Sequence, residues 1–117
     1  MSRYPRMAIA KIFAHLSCVD LQRSSAWFAT LFGREPDAFP MQHLAEWHQG
    51  GGAGFQLFQN PPHAGRGTLT LIVTGLEAER DRLSALTPGE VERADYVDLI
   101  RLRDPDDNLV VLAEPRA

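Results

Sequence analysis

Two apolar runs stand out along the chain, and a helical pattern follows each. Residues 8–19 (AIAKIFAHLSCV) and 68–74 (TLTLIVT) are rich in β-branched and aliphatic side chains, the composition of a buried strand. After the first, Leu21, Ser24, Phe28, Leu31 and Phe32 recur at the 3.6-residue period, with Asp20 placed as N-cap and Gly33 just past the end. After the second, Leu76, Leu83 and Leu86 share one face of a helix predicted over 76–86, with Glu77, Asp81 and Arg82 elsewhere; Thr87-Pro88-Gly89 ends it. The remaining pattern predicts strands over 43–49, 54–59, 96–103 and 109–114, and shorter ones near 38–41 and 90–93.

These elements repeat. At an offset of 55 residues Leu16 falls on Leu71, Leu21 on Leu76, Phe28 on Leu83 and Leu31 on Leu86. The same offset carries Phe55-Gln56-Leu57 onto Val110-Val111-Leu112, and Gln59 onto Glu114. The chain therefore reads as an α+β protein of two βαβββ modules. Module one covers about 1–60 and module two about 68–117, joined by the Pro- and Gly-rich stretch 60–67 (NPPHAGRG) within one domain, 1–117.

Composition narrows the classes of partner. With 44% hydrophobic and 23% charged residues the chain has the balance of a soluble globular protein. A net charge of −3, with 12 scattered Lys and Arg, makes no electrostatic case for nucleic acid or an anionic membrane. There is no apolar run long enough to span a bilayer, and MSRYPRMAIAKIF lacks a signal-peptide core. The single cysteine, Cys18, allows no internal disulfide. Together these features imply a cytoplasmic protein.

The repeated βαβββ unit, the VDLQRSSAWFATLFG entry and the DPDDNLVVLAEP ending resemble the vicinal oxygen chelate superfamily, which includes glyoxalase I, extradiol dioxygenases and bleomycin-resistance proteins. The resemblance covers nearly the whole chain. Its ending departs at Asp107, where such proteins usually carry a glycine in a left-handed turn position. The resemblance implies two modules whose curled mixed sheets surround a cavity, and a homodimer. Metal-dependent members hold a divalent ion through His, Gln or Glu from the first and last strands of each module. Those positions here are Phe13, Gln56, Thr68 and Val111, and the 55-residue offset pairs 13 with 68 and 56 with 111. Phenylalanine and valine cannot ligate, and one glutamine oxygen is a weak donor, so neither a divalent metal nor another cofactor is expected.

Strand alternation extends the set of candidate ligand-binding residues. If Phe13 points into the cavity, His15 and Ser17 do too, while Ile12, Ala14, Leu16 and Cys18 face the helix. Gln56 brings Phe58, and Thr68 brings Thr70. If Asp104 pairs with Asn108, then Arg101 lies opposite Val111 on the same face. His15 is the candidate acid/base or ligand hydrogen-bonder, set against a plain core histidine. Arg101 offers a charge for an anion or for a neighbouring carboxylate, and Trp47 a flat apolar wall or ordinary core packing.

Other features are bland. His43 and His48 would face opposite sides of one strand, Gly50–Gly54 reads as a hairpin connection without a following helix, and Cys18 reads as a buried structural thiol. The reading is a metal-free small-molecule-binding protein of the glyoxalase/bleomycin-resistance type, taking a small, partly aromatic ligand in an apolar cavity. The alternatives are a lyase, isomerase or dioxygenase with a non-standard site, and a dimerising scaffold without a ligand.

Overall fold

A computed structural model describes residues 3–116. In chain order the elements are β1 (Ile12–Cys18), α1 (Leu21–Phe32), β2 (Ala38–Met41), β3 (Leu44–Gln49), β4 (Ala53–Gln59), β5 (Thr68–Ile72), α2 (Leu76–Arg82), β6 (Glu92–Arg93), β7 (Val97–Arg103) and β8 (Leu109–Pro115), with short 3-10 turns at Pro61–His63 and Ser84–Leu86. They form two four-stranded mixed sheets, ordered β1-β4-β3-β2 and β5-β8-β7-β6. In each, the first strand runs parallel to the last and the rest is antiparallel. This is βαβββ twice, as the sequence predicts.

The repeat extends to individual hydrogen bonds. In module one Gln59 Oε1 accepts from the Leu21 N–H at 2.9 Å. At the equivalent places in module two, Glu114 accepts from Leu76 N at 2.9 Å and from Gly75 N at 2.8 Å. The last strand of each module thus satisfies a free N–H at the start of that module's helix. Asp20 and Gly33 cap α1 as expected: Asp20 accepts from Arg23 N, and Gly33 takes φ 76 and donates to Ala29 O.

Several boundaries differ from expectation. β1 starts at Ile12 rather than residue 8, because its partner β4 begins at Ala53, opposite Ile12, and earlier residues have no strand beside them. β5 ends at Ile72 rather than residue 74. The second helix stops at Arg82, after which Ser84–Leu86 tightens into a 3-10 turn that ends at Thr87 with φ 56.

The sheets share no hydrogen-bonded ladder where β1 approaches β5. A common apolar core joins them, running through Leu16, Phe28 and Leu57 of module one and Leu69, Ile100 and Val110 of module two. So does the turn between β7 and β8, which the Asp104 N–H closes on Asn108 O at 3.0 Å, with Asp107 at φ 74. Asn108 is fully buried. Its amide oxygen accepts from Gly67 N at 2.9 Å, and its NH₂ donates to Ser17 O at 2.9 Å and to Asp104 Oδ2 at 2.7 Å. Asp106 reaches α1 itself, accepting from Val19 N, Arg23 Nη2 and the buried Ser24 hydroxyl. The connection between modules is pinned against the same turn: Gly65 takes φ +82, and a Cβ there would collide with the Asp106 carbonyl. At the far end of α1, Arg82 donates to the Thr30 and Leu31 carbonyls at 2.9 and 2.7 Å.

Asn108→Ala is expected to lower the unfolding free energy by about 1–3 kcal/mol, since it leaves buried partners unsatisfied. Asp106→Ala, which removes the acceptor of the Val19 N–H and of the buried Ser24 hydroxyl, should cost about 1 kcal/mol. Urea unfolding of both variants measures this, and losses within error would show that the turn does not hold the modules together.

Candidate functional site

On β1, β3 and β4 the face opposite α1 carries a connected string of polar side chains. His15 lies opposite Gln56, and Gln56 opposite Glu46, so all three share that face. Gln56 Nε2 donates to Glu46 Oε2 at 2.9 Å, and the other Glu46 oxygen lies 3.0 Å from His48 Nε2. His15 Nδ1 lies 3.3 Å from Gln56 Oε1. Directions follow from chemistry: a carboxylate only accepts, so the Gln56 NH₂ points at Glu46 and its oxygen at His15, which must donate from Nδ1. That tautomer leaves the Nε2 of exposed His15 as an acceptor at the end of the string.

Glu46 is 8% exposed, yet it is held in the charged form. The hydrogen bond from Gln56, then that from His48, keeps its carboxyl below the ordinary glutamate range, against the opposing effect of burial. Aromatic groups frame the string. Phe13 sits edge-on to His48 at 6.2 Å between ring centroids, with the Lys11 ammonium 5.5 Å over it, and Phe58 is 6.2 Å from His15.

The other expected site residues divide into two groups. Thr68, Thr70, Val111 and Arg101 lie in the second sheet, with Thr70 opposite Val111 and Val111 opposite Arg101 as the predicted turn register requires. Arg101 is half exposed and pairs with Glu92 at 2.8 Å. Trp47 is placed differently. It stands opposite Phe55, on the helix side, where its ring packs against Phe32 and Phe55 at 5.4 and 5.9 Å and its Nε1 donates to Arg34 O. Strand alternation decides this: with Glu46 and His48 on the polar face, Trp47 between them must point the other way. His43 precedes β3 at φ 69, and its Nδ1 lies 3.4 Å from Gln59 Nε2. Cys18 is buried in the core, its thiol pushed up to about 11 by burial.

Glu46 and His48 are the residues that sequence reasoning missed. The signal was present in the Gly50–Gly52 turn: once it closes Gln49 on Ala53, position 46 falls opposite Gln56.

A divalent ion at the four positions the resemblance marks would find Gln56, already bonded to Glu46 and His15, and beside it only the hydroxyl of Thr68, which rarely ligates alone. Phe13 and Val111 offer no lone pair, so these residues do not fit the family's metal. Among the described residues no three His, Cys, Asp or Glu side chains gather as a metal site, and no helix is long and apolar enough to cross a membrane.

The chain has the vicinal oxygen chelate fold, and its structural neighbours include glyoxalase/bleomycin-resistance proteins. It is similar to a glyoxalase/bleomycin-resistance protein of Catenulispora acidiphila, with 28% identity over 92% of this chain and 99% of that one and a TM-score of 0.83. TnmS3, an antibiotic-binding protein of a Streptomyces species, matches at 19% identity over 95% of this chain and 100% of that one, TM-score 0.81. A lactoylglutathione lyase of Agrobacterium tumefaciens matches at 22% identity over 94% and 95%, TM-score 0.68. No family model and no curated protein matches the chain.

The ionisation of Glu46 predicts a pH effect. Its pKa is lower folded than unfolded, so its contribution to stability is complete above the unfolded value, about 4, and is lost as pH falls through the folded value. The stability gap between the wild type and Glu46→Gln should therefore narrow from pH 7 to pH 3 in thermal unfolding. A gap that does not change with pH would show that the string does not favour the carboxylate.

Proposed function

We propose that the protein binds a small, partly aromatic molecule on the polar face of its first sheet, without a metal and without transforming it. The observation that carries this reading is the string from His15 through Gln56 to Glu46 and His48 between the half-buried rings of Phe13 and Phe58. Binding sites for small molecules combine apolar walls with a few placed polar groups, and this face has both. The rings supply area for stacking on an aromatic ligand. His15 Nε2 offers an acceptor and Glu46 a fixed negative charge, so the complementary ligand carries hydrogen-bond donors. The antibiotic-binding neighbour supports binding over turnover, and antibiotic-like aromatics are the first compounds to test. The mapped metal positions support the same choice, because three of the four side chains there are Phe13, Thr68 and Val111.

A thermal-shift screen of aromatic and antibiotic-like compounds should yield stabilisers, by about 2.7 kcal/mol at a concentration 100 times Kd. His15→Ala and Gln56→Ala should each weaken such hits about tenfold, roughly 1.4 kcal/mol. Hits that survive both changes undiminished would move the site off this face. Protein purified without chelator that carries about one equivalent of divalent metal, with turnover restored by that metal, would replace the binding reading with an enzyme.

A further inference from the structure

The seam between the modules is closed at one end and open at the other. At the closed end Asp106 and Asn108 plug the turn of module two into β1 and α1. The 55-residue offset puts Gly51 where Asp106 stands and Ala53 where Asn108 stands, so the matching turn of module one has no side chain to reach α2. Neither backbone nor packing demands glycine there: Gly51 and Gly52 lack a positive φ, and a Cβ on either would meet nothing within 4 Å. Here β1 and β5 enclose a cleft of about 700 Å³, on the helix side of the sheets.

The two lips of the cleft are Ile12 with Ala14 on β1 and Leu71 with Ile72 on β5, over a floor that includes Phe32 and Trp47. Ile12 is 65% and Ile72 67% exposed, large apolar side chains left mostly uncovered by the described residues. The charges at the rim are already used. Arg34 pairs with Asp37 and bonds the His48 carbonyl, while Arg82 pairs with Glu79 and bonds the end of α1. A guest would therefore meet apolar walls and no open charge, in a volume typical of small-molecule sites. The cleft is also separate from the polar face, since Ile12 and Ala14 alternate with Phe13 and His15 along β1.

We infer that this cleft is a second binding site, for an uncharged apolar small molecule. Titration of the full chain with 1-aminoanthracene, an uncharged fluorophore that brightens in apolar surroundings, tests it. One saturable site is expected. Ala14→Phe, which fills the cleft from an exposed position, should weaken binding at least tenfold, and Ile72→Ser, which strips one lip, about threefold, with thermal unfolding showing both variants folded. Absence of saturable binding, or full affinity in both variants, would overturn the inference. Loss of binding in Gln56→Ala with retention in Ala14→Phe would place the probe on the polar face and overturn it as well. Displacement of the probe at rising protein concentration, with a dimer in sedimentation, would give the cleft to a second copy and end the proposal.

Discussion

Helix α1 belongs to module one by sequence, but module two holds both of its ends. Asp106 places a carboxylate at its start, accepting from the Val19 N–H just before the helix and from the Arg23 and Ser24 side chains, and Arg82 places a guanidinium on the free carbonyls at its end. Both charges have the sign that the helix dipole favours, and Arg82 also satisfies carbonyls that no intrahelical bond can reach. The two sheets exchange no ladder hydrogen bonds, so these contacts and the shared core fix how the modules sit. Asp104 supports the arrangement from behind. Burial pushes its carboxyl above the ordinary range, and it is kept in place by the Asn108 side chain and by the N–H groups of Asn108 and Asp106.

A linkage of this kind is local, and that explains the overall form. The radius of gyration is 15.7 Å, against about 13 Å for a compact chain of this length. The turn closes one end of the seam, and at the other Arg82 ties α2 to the end of α1 at the rim of the cleft between β1 and β5. Module one ends its hairpin in glycines and module two ends its hairpin in Asp-Pro-Asp-Asp-Asn, so one repeated fold produces a sealed end and an open end. The asymmetry therefore comes from about five residues of turn and requires no change in the sheets.

Much of this was legible in the sequence, for reasons that can be named. The 55-residue offset worked because the strand-ending residue caps the helix in both modules, and Gln59 and Glu114 do this with the same geometry. The register of the last hairpin follows from its turn, which places Arg101 opposite Val111. What could not be read were bonds between residues far apart in sequence. Nothing local to Ser24 says that its buried hydroxyl serves Asp106, 82 positions later. Trp47 is the largest side chain on β3, but alternation makes its smaller neighbours, Glu46 and His48, the residues of the polar face. The early end of α2 was equally hidden, because buried Leu83 and half-buried Leu86 keep helical spacing through the 3-10 turn.

On the polar face Gln56 stands at one of the four positions that the resemblance marks for a metal donor, and Phe13, Thr68 and Val111 stand at the other three. A lone glutamine amide needs partners for both ends, and one strand over Glu46 accepts from its NH₂ while His15 donates to its oxygen. The amide thus accepts from His15 Nδ1 and, with His48, favours the charged form of Glu46. A position that the resemblance marks for a metal thereby becomes the link in a chain of hydrogen bonds. A chain of that kind suits recognition, because its donors and acceptors are oriented before a ligand arrives.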